Sequence, residues 1–223
     1  MLVVAIDTAS EIAGLALAED GDLLAQLSWR THRSHSRELL PALDLLLGRG
    51  GRSKEEIGAV FVCLGPGSYA GLRVGVSTAK ALAYGLDVAL VGIGRLAAEA
   101  ETVALDGGPP VTAVQVAGRA DLAWATYERR GAALHELTPP HLGGRDVFIA
   151  GLSAGAVVCG ELDEALTAEL RRVGALLAPQ TAGRIEGVAR LGWRRRQRGE
   201  VDNADTLVPL YLREPAIGPQ PPR

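Results

Sequence analysis

Lysine, cysteine, long apolar runs and net positive charge are all scarce in this chain of 223 residues. Its 23 basic residues are 21 Arg and only 2 Lys, an imbalance that reads as codon bias. Net charge is −3, so the chain lacks the global basic field that a free-standing nucleic-acid binder needs. Any RNA contact would have to use a local patch or a partner's surface. Cys63 and Cys159 each sit in an apolar run and read as buried free thiols, with a disulfide or a metal pair as the alternative. No run approaches the roughly 18 apolar residues of a membrane span. Met1 to Asp7 reaches a carboxylate early and lacks the basic n-region of a signal peptide, so a cytoplasmic location without membrane contact is expected.

What is present is globular. Hydrophobic residues make up 48% and charged residues 22%, and the length allows one large domain or two lobes. Leu2 to Ile6 is a continuous apolar run, as in a strand buried on both faces. Gly14–Ala18 and Leu23–Trp29 read as two more strands joined by the tight turn Asp20-Gly21. Leu39, Leu40, Leu43, Leu46 and Leu47 mark a helix, with Pro41 in its first turn or kinking it. Ser53 and Glu56 form a capping box. Strand Ala59–Leu64, helix Gly71–Gly85, strand Val88–Val91 and a helical run Arg95–Leu105 follow.

The first hundred residues therefore read β-β-β-α-β-α-β, a mixed sheet with flanking helices. The breaker cluster Asp106 to Pro110 divides the chain into lobe 1–106 and a smaller lobe 107–214, followed by a Pro-rich tail 215–223. In the second lobe, Val111–Val116, Leu122–Tyr127, Val147–Ala150 and Ala156–Val158 read as strands. Leu162–Val173 and Ala182–Arg196 read as helices, while His135 and His141, which flank Pro139-Pro140, fall in loops. The last segment of this lobe has the option of packing back on the first.

The most specific local sequence is Gly65-Pro66-Gly67-Ser68-Tyr69-Ala70-Gly71-Leu72-Arg73-Val74-Gly75. A glycine-rich loop between strand and helix can cradle a phosphate, and it can equally be a tight turn with close helix packing. It is neither a Walker loop nor a dinucleotide fingerprint. The segment resembles the GPGSFTGLRIG signature of the TsaB (YeaZ) family, with Tyr69 and Ala70 for Phe and Thr. Other blocks agree in order: Ile6-Asp7-Thr8, His35-Ser36 before Leu39-Leu40-Pro41, Ser77 to Tyr84, and Pro209-Leu210-Tyr211-Leu212-Arg213.

The resemblance implies an actin-like (ribonuclease H-like) two-lobed α/β fold with a degenerate second lobe. It implies a scaffold for a catalytic TsaD paralogue, working with the ATPase TsaE to install threonylcarbamoyl on adenosine 37 of tRNA. The complex would use ATP, and the chain alone would bind no cofactor. In the catalytic paralogue an H-x-x-x-H motif holds a metal. Here that segment reads Gly92-Ile93-Gly94-Arg95-Leu96-Ala97-Ala98-Glu99, so neither a metal nor catalysis by this chain is expected. His32 and His35, in a Ser/Thr/Arg-rich stretch before the helix, read as solvated or capping. Asp7 and Thr8 stand where actin-like enzymes bind nucleotide, without the glycine that lets a phosphate approach, and are candidates for a residual nucleotide contact or a structural bond.

In the family, the two helices after the meander resemble a surface that docks the catalytic subunit. Leu39, Leu43, Leu46 and Leu47, with Leu72, Gly75, Val76, Ala79 and Ala83, are the candidate interface, serving a homodimer when that partner is absent. The same residues would otherwise pack on their own sheet. Arg194, Arg195 and Arg196 beside Trp193 are a candidate tRNA contact or a helix C-terminus balanced against its dipole. The second lobe departs from the family at Val116-Ala117-Gly118-Arg119, at Ala123 and at Gly151-Leu152-Ser153. A small actin-like ATPase or kinase, revealed by ATP hydrolysis, and a glycoprotease-type metallopeptidase, revealed by bound metal, are the competing readings.

Overall fold

β1 (Leu2–Asp7) is buried along its whole length because it lies at the centre of a sheet covered on both faces. β2 (Ile12–Glu19) pairs antiparallel with β1 and β3 (Asp22–Arg30) antiparallel with β2, while β4 (Ile57–Gly65) pairs parallel with β1 and β5 (Ala89–Gly94) parallel with β4, giving the order β3-β2-β1-β4-β5. Parallel neighbours need crossovers, supplied by α2 (Tyr69–Leu86) after β4. The computed structural model describes residues 1–32, 34–118, 121–178 and 184–212. Arg33, Arg119, Ala182, Arg213 and the tail 215–223 lie outside the described residues.

A second sheet, β10-β9-β6-β7-β8, is built from β6 (Val111–Ala117), β7 (Asp121–Arg130), β8 (Ala133–Gly144), β9 (Val157–Gly160) and β10 (Leu176–Leu177). α1 (His35–Arg49) and α2 cover one face of the first sheet, with Leu39, Leu43, Leu46, Val76 and Ala79 in that core. α6 (Arg184–Gln197) covers the other through Ile185, Val188 and Ala189. α3 (Arg95–Glu101) lies between the sheets: Ala98 faces the first and Leu96 and Ala100 the second. α4 (Arg145–Ala150) and α5 (Glu164–Arg172) close the far side of the second sheet through Phe148, Leu166 and Leu170.

After α6 the chain returns along the first sheet. Asp202 N–H donates to Leu90 O at 2.8 Å and Leu210 N–H to Leu64 O at 2.7 Å. Cys63 and Cys159 are buried free thiols, and burial pushes both up from the ordinary thiol range. Among the described residues no helix is long and apolar enough to cross a membrane.

Four local expectations are corrected. α1 starts at His35, so Pro41 lies inside the helix, on its exposed side. The helical run from Arg95 stops at Glu101, and Leu105 is left exposed. Val147–Ala150 is helical: the consecutive Phe148 and Ile149 both pack on the second-sheet core, which a strand would turn to opposite faces, while Val147 faces solvent. His135 and His141 belong to strand β8: Pro139 and Pro140 are tolerated on an edge strand, where a missing N–H removes no central ladder bond.

Candidate functional site

The glycine-rich loop ends β4 and opens α2, and its backbone is bonded within the protein. Ser68 N–H donates to Ala9 O at 2.7 Å, and Gly71 N–H donates to the capping Ser68 Oγ at 3.3 Å. Of its two sequence readings, close packing is the one realised by these bonds. Thr8, 1% exposed, donates its hydroxyl to Gly71 O at 2.7 Å, which is a structural bond. A methyl at Gly71 would stand 2.1 Å from Thr8 O, and one at Gly75 would stand 2.2 Å from Thr8 Oγ1. Gly75 is thus small to admit Thr8, not a partner helix. Gly75→Ala is expected to cost about 1–3 kcal/mol by overpacking. An unchanged urea midpoint would refute this close contact.

At the end of β1 the Asp7 carboxylate, 1% exposed, is held from two sides. Its Oδ1 accepts from Ala9 N–H at 2.8 Å, and its Oδ2 accepts a short bond from Arg184 Nε–H. The same guanidinium donates to Ser10 Oγ at 2.6 Å and Ile12 O at 2.8 Å, and lies 3.6 Å from Glu99. Burial works against the Arg184 charge, yet Asp7 and then Glu99 raise its pKa above the ordinary range. Arg184 lies far from Asp7 in sequence, and no local pattern points to the pairing.

Glu99 is buried beside Arg184 and Arg95, and burial wins, raising its pKa despite both cations. A carboxyl with a raised native pKa contributes stability that is present below the unfolded value of 4.5 and is lost as pH rises through the native value. Glu99→Gln is therefore expected to gain on the wild type as pH climbs from about 4 to 8. Chemical denaturation across that range checks it. A pH-independent difference would contradict the assignment.

Arg95, in the segment without histidine, is 2% exposed and makes a short bond across the lobes to Glu161. His35 is buried, not solvated, with Nε2 bonded to Ser10 O at 3.0 Å; His32 is exposed.

The basic cluster is turned to internal use. Arg194 pairs with Glu101 at 2.9 Å, Arg195 donates to Gly92 O at 2.6 Å and pairs with Glu200 and Asp202, and Arg196 carries a buried Nε. Trp193 packs on the core under α6. Charges paired in this way offer little to a phosphate backbone, which counts against Arg194 and Arg195 as a tRNA contact.

The candidate interface is also corrected. Leu39, Leu43, Leu46, Leu47, Leu72, Gly75, Val76, Ala79 and Ala83 are all buried against the protein's own sheet. The apolar residues that the helix pair leaves outward are Leu40 (51% exposed), Leu45 (54%) and Tyr84 (87%). Tyr69 and Arg73 are exposed too, with the guanidinium 5.4 Å from the ring centroid. The leucine spacing located the helix face, except that Leu40, grouped by that spacing with Leu39, Leu43, Leu46 and Leu47, points outward, as does Leu45.

Residues 29–143 match the family model described as TsaD: tRNA N6-adenosine threonylcarbamoyltransferase. The chain is 33% identical over 130 residues to the tRNA threonylcarbamoyladenosine biosynthesis protein TsaB of Escherichia coli, covering 58% of this chain and 56% of that one. It thus spans little more than half the length of that curated relative. Among solved structures, YeaZ from Pseudomonas aeruginosa superposes with a TM-score of 0.80 at 22% identity, covering 95% of this chain and 99% of that one. The activator of the 2-hydroxyisocaproyl-CoA dehydratase from Clostridium difficile superposes at 0.53 with 13% identity, over 91% and 99%. These likenesses show the fold: α/β, actin-like and two-lobed.

Proposed function

Since the chain belongs to the TsaD family of tRNA N6-adenosine threonylcarbamoyltransferases, in its TsaB (YeaZ) branch, we propose that it is a non-catalytic accessory subunit in tRNA threonylcarbamoyladenosine biosynthesis. The observation that carries this reading is the Asp7–Arg184 pair. An actin-like enzyme needs the carboxylate at the end of its first strand for a cation or phosphate. Here that carboxylate is bound to a tethered guanidinium, with Arg95 a second buried cation nearby. A divalent ion would have to displace a positive charge already balanced by Asp7 and Glu99.

The chain then acts by contact. Its partner is a larger TsaD-type catalytic subunit, docked on the outward side of α1 and α2 around Leu40, Leu45 and Tyr84. A TsaE-type ATPase joins them, and the complex consumes the ATP and holds the tRNA. Alone, the same apolar face pairs with a second copy, all of this in the cytoplasm. Co-expression with the TsaD-type protein of the same organism should yield a complex that survives purification. ATP turnover by the purified chain alone, or failure to associate with that protein, would overturn the reading.

A further inference from the structure

Two lobes of one chain move against each other by default, through a few residues that absorb the change in backbone angles. Here the element between the lobes is α3, a helix packed on both. Its apolar residues divide, Ala98 going to the first core and Leu96 and Ala100 to the second. α6, which covers the first sheet, lies so close that a methyl at Gly187 would stand 2.1 Å from Ala98 O.

The charged side chains of α3 also reach both ways. Glu101, at the end of the helix, has a side chain with no exposed surface. Its Oε2 accepts from Arg194 on α6 at 2.9 Å and lies 2.7 Å from Arg129 on β7, one cation from each lobe. Its Oε1 has no hydrogen-bond partner among the described residues, so the buried carboxylate depends on these two cations. Arg129 is fixed in turn: it donates through Nε to Ala104 O at 2.8 Å and through a terminal nitrogen to Glu101 O at 3.1 Å. Those bonds tie β7 to the C-terminal end of α3. Along the same helix Arg95 bonds across to Glu161 after β9, and Glu99 lies 3.6 Å from Arg184 of α6. A hinge motion at α3 would draw Arg129 and Arg194 apart. The carboxylate between them would lose a counter-charge at a depth that water does not reach. Exposed ion pairs yield to such a motion because water takes over from the partner. This one has no such relief.

We propose that Glu101 is the centre of an ionic clamp that holds the two lobes as one rigid body. The cleft between them, about 660 Å³ with Tyr69 on one wall and Leu142 on the other, then keeps a fixed width. The chain presents both lobes to whatever it touches in one preset arrangement and does not close like a jaw. This holds whether or not the chain is an accessory subunit.

Pulsed dipolar electron paramagnetic resonance on the full chain tests it. Spin labels are placed at Gln26→Cys on β3 and Ala168→Cys on α5, both exposed, with excess unlabelled protein to suppress distances between copies. Cys63 and Cys159 are buried, which keeps the label off them. With the clamp intact, the inter-lobe distance should be single and as narrow as that of a control pair within the first lobe, Gln26→Cys with Ala81→Cys. Glu101→Gln keeps the shape of the side chain and removes its charge. It should broaden the inter-lobe distance and leave the control pair unchanged. Arg194→Met, at a partly exposed side chain, cuts only the tie to α6 and should act in the same direction, and it decides the matter if Glu101→Gln does not fold. A broad or two-peaked inter-lobe distance with the clamp intact would overturn the proposal by itself. So would a folded Glu101→Gln or Arg194→Met protein whose distance stays as narrow as before.

Discussion

Tyr84→Arg is expected to abolish co-purification with the TsaD-type subunit while leaving the melting temperature within a few degrees of wild type. Tyr84 is 87% exposed near the end of α2, so the fold loses little when it changes. A central interface tyrosine contributes about 2–4 kcal/mol to binding, roughly 30- to 1,000-fold in affinity. Leu45→Arg on α1 should act in the same direction, because Leu45 is 54% exposed on the neighbouring helix. Ala79→Arg should behave quite differently. Ala79 is fully buried in the core between sheet and helices, and a guanidinium there would prevent folding. A binding assay in which Tyr84→Arg and Leu45→Arg retain full affinity would exclude this face.

Arg184→Ala is expected to be the most damaging substitution outside the apolar core, at about 3–5 kcal/mol. The cost arises less from the bonds lost than from what remains. Asp7, 1% exposed, would keep only the Ala9 amide, and Glu99 would lose a neighbouring cation. A domain is stable by only about 5–15 kcal/mol, so the single variant approaches the threshold of folding. Asp7→Asn alone should also destabilise, because it takes the nearest counter-charge from the buried guanidinium and leaves only Glu99 at 3.6 Å. Asp7→Asn combined with Arg184→Met removes both charges and should recover more than half of the loss. Urea titration of the wild type, Asp7→Asn, Arg184→Met and the double variant forms the cycle. Additive losses with no recovery would mean that the two side chains are not coupled.

The first lobe was legible because its signals are local. An unbroken apolar run places β1, Asp20-Gly21 turns the chain between β2 and β3, and the leucine spacing gives α1 its inward face. The second lobe was read less well. Val147-Phe148-Ile149 has the composition of a strand, yet the neighbours Phe148 and Ile149 both pack on the core while Val147 faces solvent, and a helical turn meets that need. Pro139-Pro140 reads as a break, and an edge position absorbs it.

Sequence alone determined the order of elements through the first lobe, the family signature around Gly65 to Gly75 and the absence of histidine from Gly92 to Glu99. Each is a property of neighbouring residues, written in periodicity or in composition. Tertiary structure decided what those residues face. It paired Asp7 with Arg184, turned Arg194 and Arg195 inward, buried the leucines offered as an interface, and left Tyr84 in solvent. Pairing across more than 170 positions, or the choice between the two sides of a helix, depends on which surfaces meet when the sheets close on α3, and no local pattern encodes that.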